Sequence, residues 1–309
     1  MKKFFASIAA FVIALGSAMA QDLAQITEIY NAGAAAIATD KAGALKSFEQ
    51  ALQLAEALGE EGKEVADNCK NIIPDLTLSI AKEFAREKNF DNAISQIKAA
   101  VAVAEKFANV DVADEAKKLL PQIIMQKGNS LVTAKNYADA ISAYKEVLGM
   151  DATNGNAALR LGVALNAIGD ANGATEAFLQ AAANGQEKTA YKQLSNINLK
   201  AAAAALKAKK YADAVAAALK SCEYGESAQA YQIAAQASQL AGKNNDAISY
   251  FEKYLEISPN AKNAGQIAFT VGALYQQAKN NAKAREFYTK ALSDAKYGAE
   301  AQKLLDALK

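Results

Sequence analysis

The sequence predicts an all-α protein: an α-solenoid of about seven helix-turn-helix units, closed by a C-terminal helix. Three observations carry this expectation. Of 309 residues 52% are hydrophobic, yet aromatics make up 7% and tryptophan none. Much of that apolar content is alanine, the best helix former, which carries no side-chain entropy cost. Only three prolines interrupt the chain. And one phrase returns: "KNYADAISAY" at 135–144 has near-copies "KNFDNAISQI" at 88–97, "KKYADAVAAA" at 209–218, "KNNDAISYF" at 243–251 and "KNNAKAREFY" at 279–288. A repeated turn points to a repeated fold unit, and repeats escape the size limit of a single core because each packs only on its neighbours.

The first twenty residues stand apart. Lys2 and Lys3 form a positive start, "FFASIAAFVIAL" is an uncharged apolar run, Gly16 breaks it, and "AMA" at 18–20 matches a small-x-small cleavage signal. The run is shorter than the roughly 20 residues that span a bilayer. Residues 1–20 are expected to be a signal peptide cleaved after Ala20, leaving an exported, periplasmic chain with no stable membrane insertion. Gln21, not cysteine, follows the cut, so no lipoprotein anchor is expected. Loss of Lys2 and Lys3 takes the formal charge from +1 to −1. A near-neutral chain gives no case for nucleic acid, which needs a basic footprint. The local cluster Lys207, Lys209, Lys210 reads as a solvated helix end.

After each turn an alanine is followed, four residues on, by a residue that is usually bulky: Ala44 and Phe48, Ala93 and Ile97, Ala140 and Tyr144, Ala174 and Phe178, Ala214 and Ala218, Ala247 and Phe251, Ala284 and Tyr288. Three further on, Ala51, Ala100, Val147, Ala181, Ser221, Tyr254 and Ala291 face the same side. An upstream helix carries Gly128, Gly162 or Gly272, where a close partner helix would offset the ~1 kcal/mol cost of glycine. In the turn, lysine is expected to end the first helix, and asparagine to take the left-handed conformation beyond it. Asp91, Asp139, Asp213 and Asp246 are expected in the first turn of the second helix, near its positive end.

These units resemble the tetratricopeptide repeat (TPR), whose signature is L-G-x2-Y then A-x3-F in units of about 34 residues. "LRLGVAL" at 159–165 and "FTVGALY" at 269–275 carry the first half most clearly. The family's tryptophan is replaced by Ile124, Ala158, Tyr231 and Ala268, and its closing proline survives as Pro259. Spacings between the anchor alanines are 49, 47, 34, 40, 33 and 37. The first two exceed the standard period, so longer helices or an extra helical turn are expected there. Residues 21–120 therefore read as a long-helix block similar to TPR variants of kinesin light chains. Residues 121–309 read as a regular solenoid with a capping helix at 298–309, whose polar residues suit a solvent-facing end.

Catalytic chemistry has little to stand on. With no histidine, Ser-His-Asp and Cys-His catalysis and histidine-held metals are excluded. No phosphate-binding loop or dinucleotide fingerprint appears. The expectation is a non-enzyme with no cofactor and no metal. Cys69 and Cys222 read as two buried, unreactive thiols, too far apart along a solenoid to bridge.

The resemblance implies that the first helices of successive units line a concave groove that holds partners. Aligning the units places Gln122, Gln126, Asn129, Asn156, Arg160, Asn166, Asn196, Lys200, Gln229, Gln232, Gln236, Gln239, Gln266 and Gln276 there. Amides both donate and accept, so together they can satisfy the backbone of an extended peptide. The same amides would equally serve as a hydrophilic face that keeps the solenoid in solution. Some TPR domains grip a terminal carboxylate with a lysine and asparagine clamp. Here Asn129 and Lys200 match, but Met125, Arg160 and Asn196 do not, so no clamp is expected. The function implied is an exported scaffold or adaptor binding protein or peptide partners in a cell-envelope assembly. Two alternatives stand beside it: a binder of cell-wall glycan, for which Phe269 is the one stacking platform near the groove, and a self-associating structural protein, a homo-oligomer. Export is testable directly. The intact mass of the protein from its native envelope is expected to correspond to a chain beginning at Gln21, and a mass that retains Met1 to Ala20 would show the segment to be an anchor.

Overall fold

The computed structural model describes residues 18–308. Residues 1–17 of the expected signal segment lie outside these; residues 18–20 open the first helix. The described chain has no strand and fifteen α-helices. Contacts divide it into two compact units, the first ending at Ala152 and the second beginning at Thr153. Each is an α-solenoid in which consecutive helices pack in pairs, here called A and B.

The first unit holds α1 (Ala18–Ala36), α2 (Lys41–Ala57), α3 (Lys63–Arg86), α4 (Phe90–Lys106), α5 (Val110–Thr133) and α6 (Tyr137–Met150). Its A helices also touch one another, α1 on α3 and α3 on α5. The long spacings have a common cause. α3 and α5 are 24 residues each, and each carries a proline, Pro74 or Pro121, eleven residues after its start. Each proline stands seven residues before the small residue, Ala81 or Gly128, that faces the B helix. Pro is favoured at the first position of a helix. Each long helix is thus an ordinary A helix, beginning near its proline, with an eleven-residue extension fused ahead of it. The 3-10 turn Gly59–Gly62 completes the extra length before α3. Residues 120 and 121 both lie inside α5.

The second unit holds α7 (Gly155–Ala167), α8 (Ala171–Ala181), α9 (Glu187–Lys207), α10 (Tyr211–Glu223), α11 (Ala228–Leu240), α12 (Asn244–Ile257), α13 (Ala264–Gln277), α14 (Asn281–Ala291) and α15 (Gly298–Ala307). α9 is also long, at 21 residues, and follows a kinked segment, 182–186, in which Gly185 has φ +83°. α15 closes the unit. Leu304, Leu305 and Leu308 pack onto the last pair, while Glu300, Gln302 and Lys303 face solvent.

Within every pair the crossing point is the predicted one. All seven anchor alanines have 0% exposure, and so have Phe48, Ile97, Tyr144, Phe178, Ala218 and Tyr288 four residues on. The glycines opposite them are contact residues: a Cβ at Gly128 would come within 2.6 Å of the Tyr144 ring, at Gly162 within 2.7 Å of Phe178, and at Gly272 within 2.7 Å of Tyr288.

The turns differ from expectation in one respect. The left-handed residue is the lysine, not the asparagine: Lys88, Lys135, Lys209 and Lys279 have φ of 59–60°, and Gly169 and Gly242 hold the same place elsewhere. The residue that follows does two jobs. The N–H of Asn136 reaches back to the Leu131 carbonyl at 2.8 Å, closing the Schellman bond of α5. Its side-chain oxygen then accepts the Asp139 N–H at 3.4 Å as the N-cap of α6. Asn89, Asn109, Asp170 and Asn280 cap their helices in the same way. Capping requires non-helical, extended-side φ/ψ at that residue, so the left-handed step falls one position earlier, on the lysine. The predicted first-turn acids Asp91, Asp139, Asp213 and Asp246 are in place. Two substitutions separate these roles. Asn136→Ala is expected to lower the stability of this region by about 1 kcal/mol in urea unfolding. Lys135→Gly is expected to cost nothing, because relief of ~1–2 kcal/mol of left-handed strain offsets the ~0.5–1 kcal/mol entropy cost of glycine. A larger loss from Lys135→Gly than from Asn136→Ala would refute the assignment.

Candidate functional site

The A helices share one register. Counting from the small residue that meets the B helix, the positions six and two before it, and one and five after it, form an i, i+4, i+7, i+11 stripe facing away from that contact. On α5 of the first unit the stripe is Gln122, Gln126, Asn129 and Thr133, all exposed. On α7 of the second unit it is Asn156, Arg160, Val163 and Ala167, again all exposed. On α9 it is Asn196, Lys200, Ala203 and Lys207, extended N-terminally by Lys192. On α11, Gln229, Gln236 and Leu240 share it, flanked by Gln232 and Gln239; Ile233 turns inward. On α13 it is Gln266, Thr270, Ala273 and Gln277.

An amide therefore opens the stripe in each of these helices. In α3 that place is taken by Asp75, and burial first, then nearby Glu115, pushes its carboxyl above the usual range. Of the fourteen residues picked from sequence, Gln122, Gln126 and Asn129 lie in the first unit and the other eleven in the second. Asn166 and Gln276 sit beside the stripe rather than on it. Thr270, Gln277, Lys192 and Lys207 are on or in line with the stripe but outside that set; counting along each helix from the small residue under the B helix finds them.

Not all the amides are equally available. The Tyr144 hydroxyl donates to Asn129 Oδ1 at 2.9 Å, and the Tyr288 hydroxyl donates to Gln276 Oε1 at 2.7 Å. Gln277 Oε1 accepts from Asn244 at 3.4 Å. Phe269 is half-buried, its ring 5.6 Å from that of Tyr288 and 5.2 Å from that of Tyr297.

A cleft of about 870 Å³ lies elsewhere, among α12, the start of α13, and α14. Its charges answer one another. Lys283 and Lys290 both pair with Glu286, at 2.9 and 2.8 Å, and Glu252 accepts the Tyr275 hydroxyl at 2.8 Å. Burial, then that bond, pushes the Tyr275 phenol up to about 12. Among the described residues no cluster of three His, Cys, Asp or Glu side chains could hold a metal, and no helix is long and apolar enough to cross a membrane.

The pairing of helices, the glycine under the aromatic and the shared register define a protein built of helical repeats that presents its A helices. Sequence models of the tetratricopeptide repeat match residues 131–197 and 228–261. Those two stretches are tetratricopeptide repeats. None of the curated proteins matches it. Among solved structures it is similar to MamA, at 25% identity over 58% of this chain and 94% of that one, with a TM-score of 0.36. It is also similar to PilF of Pseudomonas aeruginosa, at 18% identity over 62% and 84%, TM-score 0.32. A third is YrrB, described as a TPR protein with an unusual peptide-binding site, at 18% identity over 60% and 91%, TM-score 0.33.

Both cysteines are free. Cys69 is fully buried, as expected, but Cys222 is only half-buried, because it lies at the end of α10 where the chain loosens into the 224–227 turn. Burial pushes the Cys69 thiol from 9.0 up to about 12 and raises that of Cys222 as well. A raised thiol pKa means the native state favours the neutral form. The Cys69 contribution to stability is therefore whole below pH 9 and is lost as pH rises toward 12. Iodoacetamide is expected to label Cys222 slowly in the folded chain and Cys69 only after denaturation, with no reductant needed for either. Equal labelling of the two in the folded chain would contradict this burial.

Proposed function

We propose that this protein is an exported, periplasmic scaffold or adaptor whose A-helix face holds an extended segment of a protein partner in a cell-envelope assembly. The observation that carries this reading is the amide that opens the stripe on each of α7, α9, α11 and α13 of the second unit. An extended backbone presents N–H and C=O groups in alternation, and a row of amides can serve both. Export rests on the paired lysines, apolar run and "AMA" motif of residues 1–20. Protein partners are what a TPR scaffold takes, and the ring contacts of half-buried Phe269 with Tyr288 and Tyr297 favour this over a glycan reading.

The test uses the second unit. Asn156, Arg160, Lys200 and Gln236 changed together to alanine should leave helicity intact, since alanine suits helices. Crosslinking in the native envelope, followed by mass spectrometry, should then lose the partners captured by the parent. Each lost hydrogen bond to a charged group is worth ~1.5–3 kcal/mol, and each neutral one less. A control set on B helices, Glu176, Lys220, Lys253 and Lys290 to alanine, removes exposed charges worth little to stability. Loss of partners in the control set but not in the A-helix set would place the binding surface on the B side and overturn the assignment.

A further inference from the structure

The A helices of the second unit carry charge of almost one sign. α7, α9, α11 and α13 together hold five cations, Arg160, Lys188, Lys192, Lys200 and Lys207, against the single acid Glu187. Their B partners hold seven acids and five bases. Ion pairing follows the same division. Among the described residues, every ion pair of this unit lies within a B helix or within α15: Lys220–Glu223 at 2.5 Å, Lys253–Glu256 at 2.7 Å, Lys283 and Lys290 with Glu286, and Lys303–Glu300 at 3.2 Å. None of the five A-helix cations has such a partner. No acid stands three or four residues from Lys192, Lys200 or Lys207, although such a neighbour stabilises a helix by ~0.2–0.5 kcal/mol.

The first unit is built the other way. Its A helices α3 and α5 are rich in acids and laced to their neighbours: Lys82 pairs with Glu115 at 2.7 Å, Lys117 with Glu105 at 2.7 Å, Lys127 with Asp91 at 2.5 Å, and Lys41 with Glu83. The same fold thus carries one charge-neutralised A-helix surface and one from which acids are missing. Exposed cations without local counter-charge raise the local concentration of anions and select against cationic partners.

We infer that the A-helix face of the second unit is selective for an acidic stretch of extended polypeptide, its carboxylates meeting Arg160, Lys192, Lys200 and Lys207 while the amides take its main chain. This rests on the scaffold reading above and adds the chemistry of the partner and the confinement of its site to one unit.

The probe is a dye-labelled peptide of alternating glutamate and serine, titrated with the full chain and followed by fluorescence anisotropy. Saturable binding that weakens as salt is added, and no binding of the matching lysine and serine peptide, are expected. Arg160, Lys192, Lys200 and Lys207 changed to glutamine should weaken binding by about tenfold for each cation engaged. The same change at Lys220, Lys253 and Lys283 on the B helices should leave it unaltered. The inference is overturned by absence of glutamate-peptide binding, by equal loss in the B-helix variant, or by a single-stranded oligothymidylate binding as tightly as the peptide. It fails separately from the scaffold reading: a chain that loses envelope partners in the four-alanine variant, yet never binds the glutamate peptide, keeps its scaffold role and loses only the acidic selectivity.

Discussion

Everything in the two units hangs on one contact, the crossing of A and B helices over a small residue. An isolated pair buries too little to stand alone, and an aromatic set on a flat glycine lets the two backbones approach closely. Glycine within a helix costs ~1 kcal/mol against alanine, while fully burying a Phe-sized side chain returns ~1.5–3 kcal/mol. The balance favours the contact, and Tyr144, Phe178 and Tyr288 are each wholly buried as a result. Because the contact fixes how each A helix is rotated, it also decides which residues face away. The register of the exposed stripe, and hence any binding surface built on it, is a consequence of the core.

That dependence explains what could be read in the sequence and what could not. The anchor alanines, the residues four and seven beyond them and the helical glycines were legible because burial imposes helical spacing on them, and spacing survives in sequence. The turn was half legible. Its composition marked a helix end, but lysine and asparagine are both common there, and only the backbone shows that Asn136 closes one helix and caps the next while Lys135 bears the left-handed step. The long A helices were visible only as surplus length. Their cause, an eleven-residue extension ahead of Pro74 and of Pro121, emerges when both are placed against the small residue that follows. For the stripe, residue type misled: Asn166 and Gln276 are amides in the wrong phase, and Lys192 and Lys207 are in the right phase without being amides. Half-burial of Cys222 left no trace in its neighbours.

The two units also show that surface charge in a solenoid is not set by folding alone. Exposed ion pairs contribute ~0–1 kcal/mol, so the pairs along α3 and α5 and the bare cations on α9 are both compatible with a stable repeat. The core is of the same kind in both units, anchored by alanine at every crossing. What differs lies on the outside of the A helices, where stability makes few demands and composition is free to answer to a partner.

The tyrosines add a last constraint at this surface. Where the residue four beyond the anchor is tyrosine, its ring fills the crossing and its hydroxyl emerges at the edge of the A helix to donate to Asn129 or Gln276. That bond uses one lone pair of the amide oxygen and fixes the orientation of the group, turning its N–H₂ outward. Where the same place is phenylalanine, as at Phe178 and Phe251, no hydroxyl reaches the edge, and the amides of α7 and α11 can turn either end outward. One choice in the core, Tyr or Phe, therefore sets whether the amide beside it is held in one orientation, with one lone pair of its oxygen already used, or is free to turn. The packing contact that builds the repeat thereby reaches into the chemistry of the face that the repeat presents.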